Sequence, residues 1–155
     1  MRILGIDPGL ATTGWAVVDF DKDGKPNPVD YGAITTPKEM ETSQRLVEIY
    51  EDMKELVKEF NPESAGIETL IFCNNITSAM FVAEARGIVR LVLEQNDIPI
   101  KEFTPLQVKD AVTGYGKAGK KQVQESVKRL CNLESIPQPD DAADAIAVAI
   151  ASYVN

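Results

Sequence analysis

Histidine is absent from this 155-residue chain, and cysteine is scarce, with only Cys73 and Cys131. The first absence excludes Ser-His-Asp and Cys-His triads, histidine general bases and histidine metal ligands. Two cysteines are too few for a disulfide framework or a four-thiolate zinc site, so both are read as reduced, packed thiols. No apolar run approaches the ~20 residues of a membrane-spanning helix, and Met1-Arg2-Ile3-Leu4-Gly5-Ile6-Asp7 reaches a carboxylate too early for a signal peptide. The expectation is a cytoplasmic protein without a membrane partner. With 44% hydrophobic and 26% charged side chains, residues 1–155 read as one domain. Any acid, base or metal chemistry must come from carboxylates.

Positive charge is also in short supply, and the net charge is −8. Nucleic-acid binders usually carry a basic footprint, so the average argues against a polyanionic partner. The distribution argues otherwise, because residues 103–133 carry 6 basic and 2 acidic side chains, a net +4 inside an acidic chain. Such a segment is either a local phosphate-binding surface or a solvated face.

Apolar periodicity supplies the elements. Arg2 to Asp7 reads as a buried strand ended by Pro8-Gly9, Gly14 to Phe20 as its hairpin partner, and Val29 to Thr35 as a third antiparallel strand. From Thr42 the spacing changes to three and four, predicting an amphipathic helix stopped by Asn61-Pro62. A short strand over Ser64 to Glu68 and a helix over Thr77 to Gln95 follow, the helix apolar on more than one face, as suits a core on one side and a partner subunit on another. Ile98 to Phe103 reads as a fifth strand, and Thr104-Pro105 as the N-cap and first residue of a helix to about Val112. Helices from about Lys120 to Cys131 and from about Asp141 to Tyr153 close an α/β fold with a mixed sheet.

Four acids are candidates for chemistry. Asp7 ends an apolar strand, where an unpaired carboxylate is costly; it is either metal-bound or an Asx-type cap above Pro8-Gly9. Glu68 repeats the pattern at the end of a second strand. Asp141 and Asp144 share one face of the first turn of an Ala-rich helix, as metal ligands or as partners of the helix dipole, with Asp140 as candidate N-cap. The alanines at 142, 143, 145, 147, 149 and 151 make that helix slim enough to approach a sheet and bring its aspartates beside Asp7 and Glu68. Four such carboxylates form a hard oxygen site for Mg²⁺ or Mn²⁺, and room for two ions suits in-line phosphodiester displacement.

Gly114 to Lys121 follows a Walker A pattern until Lys121 replaces the Ser or Thr that binds Mg²⁺, and a helix instead of a strand precedes it. A Gly-rich loop carrying Lys117, Lys120 and Lys121, with Lys109 upstream, fits a nucleic-acid backbone better. Phe72, just after Glu68, is either core or an aromatic that stacks on an unpaired base.

These residues, in order, resemble the RuvC family of Holliday-junction resolvases, which are ribonuclease-H-like nucleases. The resemblance rests on Ile3-Leu4-Gly5-Ile6-Asp7-Pro8-Gly9 with Thr13-Gly14-Trp15, on Ile67-Glu68 with Leu70-Ile71-Phe72, and on Ala83-Glu84-Ala85-Arg86-Gly87. It continues through Gln107-Val108-Lys109, Gly114-Tyr115-Gly116, Lys120-Lys121-Gln122-Val123 and Asp141-Ala142-Ala143-Asp144-Ala145. It implies a five-stranded mixed sheet flanked by helices on both faces, and a homodimer that nicks two strands of a four-way DNA junction symmetrically, leaving 5′ phosphates. It further implies two Mg²⁺ ions, with Mn²⁺ as substitute, on Asp7, Glu68, Asp141 and Asp144. Lys109 and Lys120 fall on basic DNA-contact positions, with Lys117 and Lys121 as neighbours, and Phe72 falls in the junction-inserting loop, where Ile71 replaces a second aromatic. A branch-migration helicase is the further partner the resemblance suggests. The competing readings are a ribonuclease-H-like nuclease acting on RNA and a non-catalytic junction-binding module.

Overall fold

Strand β1 (Arg2–Asp7) is the axis of the molecule, because its alternation sends successive side chains into two separate cores. Ile3 joins one core, and Leu4 and Ile6 join the other. A computed structural model describes residues 1–69 and 75–155; Phe72 and Cys73 lie outside the described residues.

Antiparallel β2 (Thr12–Phe20) pairs with β1, and β3 (Pro26–Thr35) pairs with β2 at the sheet edge. Helix α1 (Thr42–Phe60) carries the chain to β4 (Ser64–Glu68), which lies parallel to β1 on its other side. Helix α2 (Ile76–Gln95) leads to β5 (Ile100–Phe103), parallel to β4. The sheet order is therefore β3-β2-β1-β4-β5, the five-stranded mixed sheet the sequence implied. Helices α3 (Pro105–Thr113), α4 (Lys120–Leu130) and α5 (Asp140–Val154) complete the chain.

One face of the sheet packs on α1 and α2 through Leu4, Ile6, Val17, Ile49, Met53 and Val89. The other packs on α3, α4 and α5 through Ile3, Ala16, Val18, Val108, Val127 and Ile146. Helix α5 is the most deeply buried, with every residue from Ala145 to Ser152 at 4% exposure or less. It lies so close to the sheet that a Cβ on Gly5 would stand 2.1 Å from the Ala145 carbonyl oxygen, and one on Gly14 would stand 2.1 Å from that of Asp141. The alanines of α5 and these two glycines are one device for bringing a helix N-terminus against the end of β1.

Most predicted boundaries hold to within a residue or two. Thr104 caps α3 in a full capping box with Gln107, behind Pro105 at the first turn. Two expectations are corrected. Strand β3 begins at Pro26 rather than Val29, because an edge strand tolerates Pro26 and Pro28. Asp140 is not the N-cap of α5: Pro139 holds that position without a side-chain bond, and the Asp140 carboxylate turns to Lys120.

Candidate active site

The C-terminal end of β1 is where the acids meet. Asp7 follows Ile6 out of the core, and its partner across the hairpin is Gly14, whose bare Cα lets the first turn of α5 lie against it. Carboxylate oxygens of Asp7, Asp141 and Asp144 all lie within 4.8 Å of one another, and all three residues are half-buried. Glu68, at the end of the neighbouring strand β4, stands beside Asp7, within reach of a hydrogen bond from the Asp7 carboxyl when that is protonated. Glu68 lines the same cleft but stands outside the triangle of aspartates.

Like charges at this spacing do not all ionise at ordinary carboxylate pH. Burial, and then the facing charges of Glu68, Asp144 and Asp141, push Asp7 up to about 8. Burial and Asp144 raise Glu68, while burial raises Asp144 against the opposing pull of Lys120 and Lys109. A strand end that gathers negative charge this way is stable only with protons or cations present. Its donors are all oxygen, and among the described residues no nitrogen or sulfur ligand joins them, which fits a hard divalent cation such as Mg²⁺ or Mn²⁺.

The cleft above the acids has a volume of about 380 Å³ and is walled by Pro105, Val108, Lys109, Lys120 and Val123 along with Asp7, Glu68 and Asp144. Lys109 is half-buried on α3, and Lys120 opens α4 with its ammonium 3.2 Å from Asp140. Lys117 and Lys121 are exposed and do not line this cleft. A larger hollow of about 680 Å³ lies between the end of α1 and the turn after α2, but Glu51, Glu55, Lys54 and Lys58 line it with mixed charge, and none of the four acids does.

The family described as crossover junction endodeoxyribonuclease RuvC matches residues 3–152. The chain belongs to the RuvC family. A RuvC of Thermosipho melanesiensis is 50% identical over 150 residues, covering 96% of this chain and 94% of that protein. One from Fusobacterium nucleatum is 45% identical over 155 residues, covering 100% of this chain and 80% of its own. Among solved structures, Thermus thermophilus RuvC in complex with Holliday junction substrate superposes with a TM-score of 0.92 at 29% identity, covering 97% of this chain and 92% of that one. The RuvC fold thus accounts for the sheet order and for helices on both faces.

Two residues near this site have little signal in the sequence. Asp140 reads there only as a cap, and its pairing with Lys120 depends on how α4 and α5 pack. Arg45 stands first in the buried row Arg45, Ile49, Met53 of α1, and an arginine opening an apolar stripe was the available signal. It is 9% exposed and donates from Nε to the Thr36 hydroxyl at 2.8 Å.

Proposed function

We propose that this chain is a divalent-metal-dependent endonuclease that resolves four-way DNA junctions by paired symmetric nicks, leaving 5′ phosphates. The observation that carries this reading is the convergence of the Asp7, Asp141 and Asp144 carboxylates within 4.8 Å, with Asp7 and Asp144 in a cleft shared with Lys109 and Lys120. Membership of the RuvC family supplies the substrate class.

Asp7, Glu68, Asp141 and Asp144 hold two Mg²⁺ ions in this reading, with Mn²⁺ as a substitute. Bound there, the cations supply an activated water and stabilise the leaving 3′ oxygen, which makes a protein general base unnecessary. Asp7 contributes most to their placement, because it faces all three other acids. Lys109 and Lys120 draw the phosphodiester into the cleft and offset the charge of the acids around it. Exposed Lys117 and Lys121 extend that basic edge along the flanking backbone. Phe72, outside the described residues, is assigned to the junction crossing on sequence grounds.

The unit is one domain over residues 1–155 that works as a homodimer in the cytoplasm. An apolar groove of Leu46, Val47, Tyr50, Ile88 and Leu91 runs between α1 and α2, with Val47 58% and Leu91 46% exposed. Exposed apolar area of this kind marks a protein contact, and a two-fold partner there would supply the second active site that paired nicks demand. A branch-migration helicase is the partner that would deliver such junctions.

The test is a labelled synthetic four-way junction with a mobile core, incubated with and without Mg²⁺ beside linear duplex and RNA–DNA hybrid. Paired nicks in the junction alone, and only with metal, are expected. Cleavage confined to the hybrid would establish the ribonuclease reading instead, and binding without nicking in Mg²⁺ or Mn²⁺ across varied core sequences would leave a junction-binding module.

A further inference from the structure

Asp141 of the carboxylate cluster lines a second cleft, of about 410 Å³, which Lys109 and Lys120 do not line. Gly9, Thr12, Arg45, Ser78, Phe81 and Asp141 line it. Asp141 thus belongs to the Arg45 cleft, while Asp7 and Asp144, whose carboxylate oxygens lie within 4.8 Å of its own, line the cleft with the lysines.

Arg45 is the unusual member. It is the buried arginine of the described residues, and its two hydrogen bonds go to neutral acceptors: Nε to the Thr36 hydroxyl at 2.8 Å and Nη2 to the Thr36 carbonyl at 3.3 Å. Arg2, Arg86 and Arg90 each meet a carboxylate, whereas none lies within 4.0 Å of Arg45 among the described residues. The side chain is largely enclosed with no counter-charge beside it, and its remaining N–H donors, unused by the protein, reach solvent on the side of the cleft.

Fastening alone does not require this residue. Thr36 already ties down the loop after Asp7, donating to the Leu10 carbonyl at 2.6 Å and from its own N–H to the Ala11 carbonyl at 3.0 Å. A neutral donor on α1 would hold Thr36 as well, so the positive charge is the part left unexplained. Neither α1 nor α2 has an acidic residue in its first turn, Glu41 at the N-cap of α1 makes no side-chain cap bond, and Arg45 and Ser78 both stand near those helix starts. Asp141 is the one carboxylate in the lining, and it belongs to the metal cluster.

We propose that this cleft is a second phosphate subsite, in which the Arg45 guanidinium binds a backbone phosphate of the strand that crosses the carboxylate cluster. The planar fork of arginine suits a phosphodiester, and a strand lying over the carboxylate cluster would have one phosphate by the lysines and another by the arginine. The inference rests on the nuclease reading above and adds a backbone contact in a cleft separate from that of the lysines.

The test is the salt dependence of four-way-junction binding, measured in Mg²⁺ in an Asp7→Asn background so that no strand is cut. Arg45→Gln is expected to weaken binding several-fold at moderate salt and to flatten the log–log slope by about 0.9, the loss of one phosphate contact. Since Arg45 is buried, the exposed rim variant Ser78→Glu provides a second measure, and its carboxylate should occupy the guanidinium and flatten the slope likewise. Thr36→Val removes the fastening and keeps the charge, so its slope should stay at the parent value. Lys120→Ala, in the other cleft, shows that the assay detects a lost contact. Parent slopes in folded Arg45→Gln and Ser78→Glu, beside a flattened Lys120→Ala, would overturn the subsite and leave the nuclease reading standing. Absence of junction binding by the parent would overturn both. Nitrogen NMR of the Arg45 side chain separates the sources of phosphate: a response to inorganic phosphate with no change in DNA slope would assign the cleft to a free anion and overturn the proposal.

Discussion

The Lys120 ammonium lies 3.2 Å from the Asp140 carboxylate, one helical turn before Asp144 at the rim of the acidic cleft. Asp140 raises the basicity of Lys120 first by this contact, with Asp144 and Asp141 adding their fields. Both side chains are more than half exposed, so the pair is loose enough for a phosphate to replace the carboxylate. Asp140→Asn should therefore tighten junction binding by up to about fivefold, the equivalent of about 1 kcal/mol. An unchanged or weakened affinity in a titration at fixed salt would show that Asp140 does not compete for Lys120.

Asp7 gives a prediction with a definite sign. Burial and the neighbouring acids lift its carboxyl from 3.8 to about 8, so the metal-free fold favours the protonated form. Stability from this group is full below its unfolded value near 3.8 and is lost as pH rises through about 8. Metal-free protein should lose on the order of 2 kcal/mol between those limits, after allowance for screening. Asp7→Asn should flatten that profile in thermal denaturation and stabilise the metal-free protein at pH 8, while abolishing cleavage and retaining junction binding.

The same linkage makes cation binding release a proton. Mg²⁺ affinity, followed by calorimetry in buffers of different ionisation heat, should rise with pH up to about 8 and then level off, following the Asp7 carboxyl. A flat profile from pH 6 to 8 would separate Asp7 from the metal.

Gly14→Ala places a Cβ 2.1 Å from the Asp141 carbonyl oxygen, a contact that backbone movement alone can relieve. The substitution should cost about 1–3 kcal/mol as overpacking, and cleavage should fall further than stability because the displaced backbone carries Asp141. Cleavage kinetics and denaturant unfolding on the same sample distinguish the two effects.

Leu91→Glu puts a charge in the apolar groove between α1 and α2, where Leu91 is 46% exposed. It should leave the fold intact, shift sedimentation to the monomer and turn paired nicks into single ones. A dimer unaffected by the change would place the subunit contact elsewhere.

Much of this was legible because local signals and tertiary packing agree. Pro8-Gly9 ends β1 directly after Asp7, and Asn61 in a left-handed turn with Pro62 ends α1 where the apolar period stops. The glycine and alanine pattern pointed to close approach of α5, and the clashes that a Cβ would make at Gly5 and Gly14 give it a physical measure. Less legible were features set by position in the sheet or by contacts between distant helices. Prolines in β3 read as a turn until the strand is known to be an edge, and Ile98-Pro99 reads as strand although β5 begins at Ile100. The partners of Arg45 and Asp140 lie 9 and 20 residues away in sequence, beyond any local periodicity.

The close seating of α5 on β1 has a mechanical consequence. Asp7 and Glu68 are fixed to adjacent strands, and Asp141 and Asp144 to a helix that lies against the sheet with no side-chain cushion at Gly5 or Gly14. Among the described residues, strand pairing and this close packing lock the four mounts together, so the protein offers a stiff die and the nucleic acid is the compliant part. A regular duplex resists the deformation needed to fit such a surface, whereas a strand at a crossing is already released from its stack. Discrimination between junction and duplex would then reside in the elasticity of the DNA, and stiffening or loosening the junction core should alter cleavage with every protein residue unchanged.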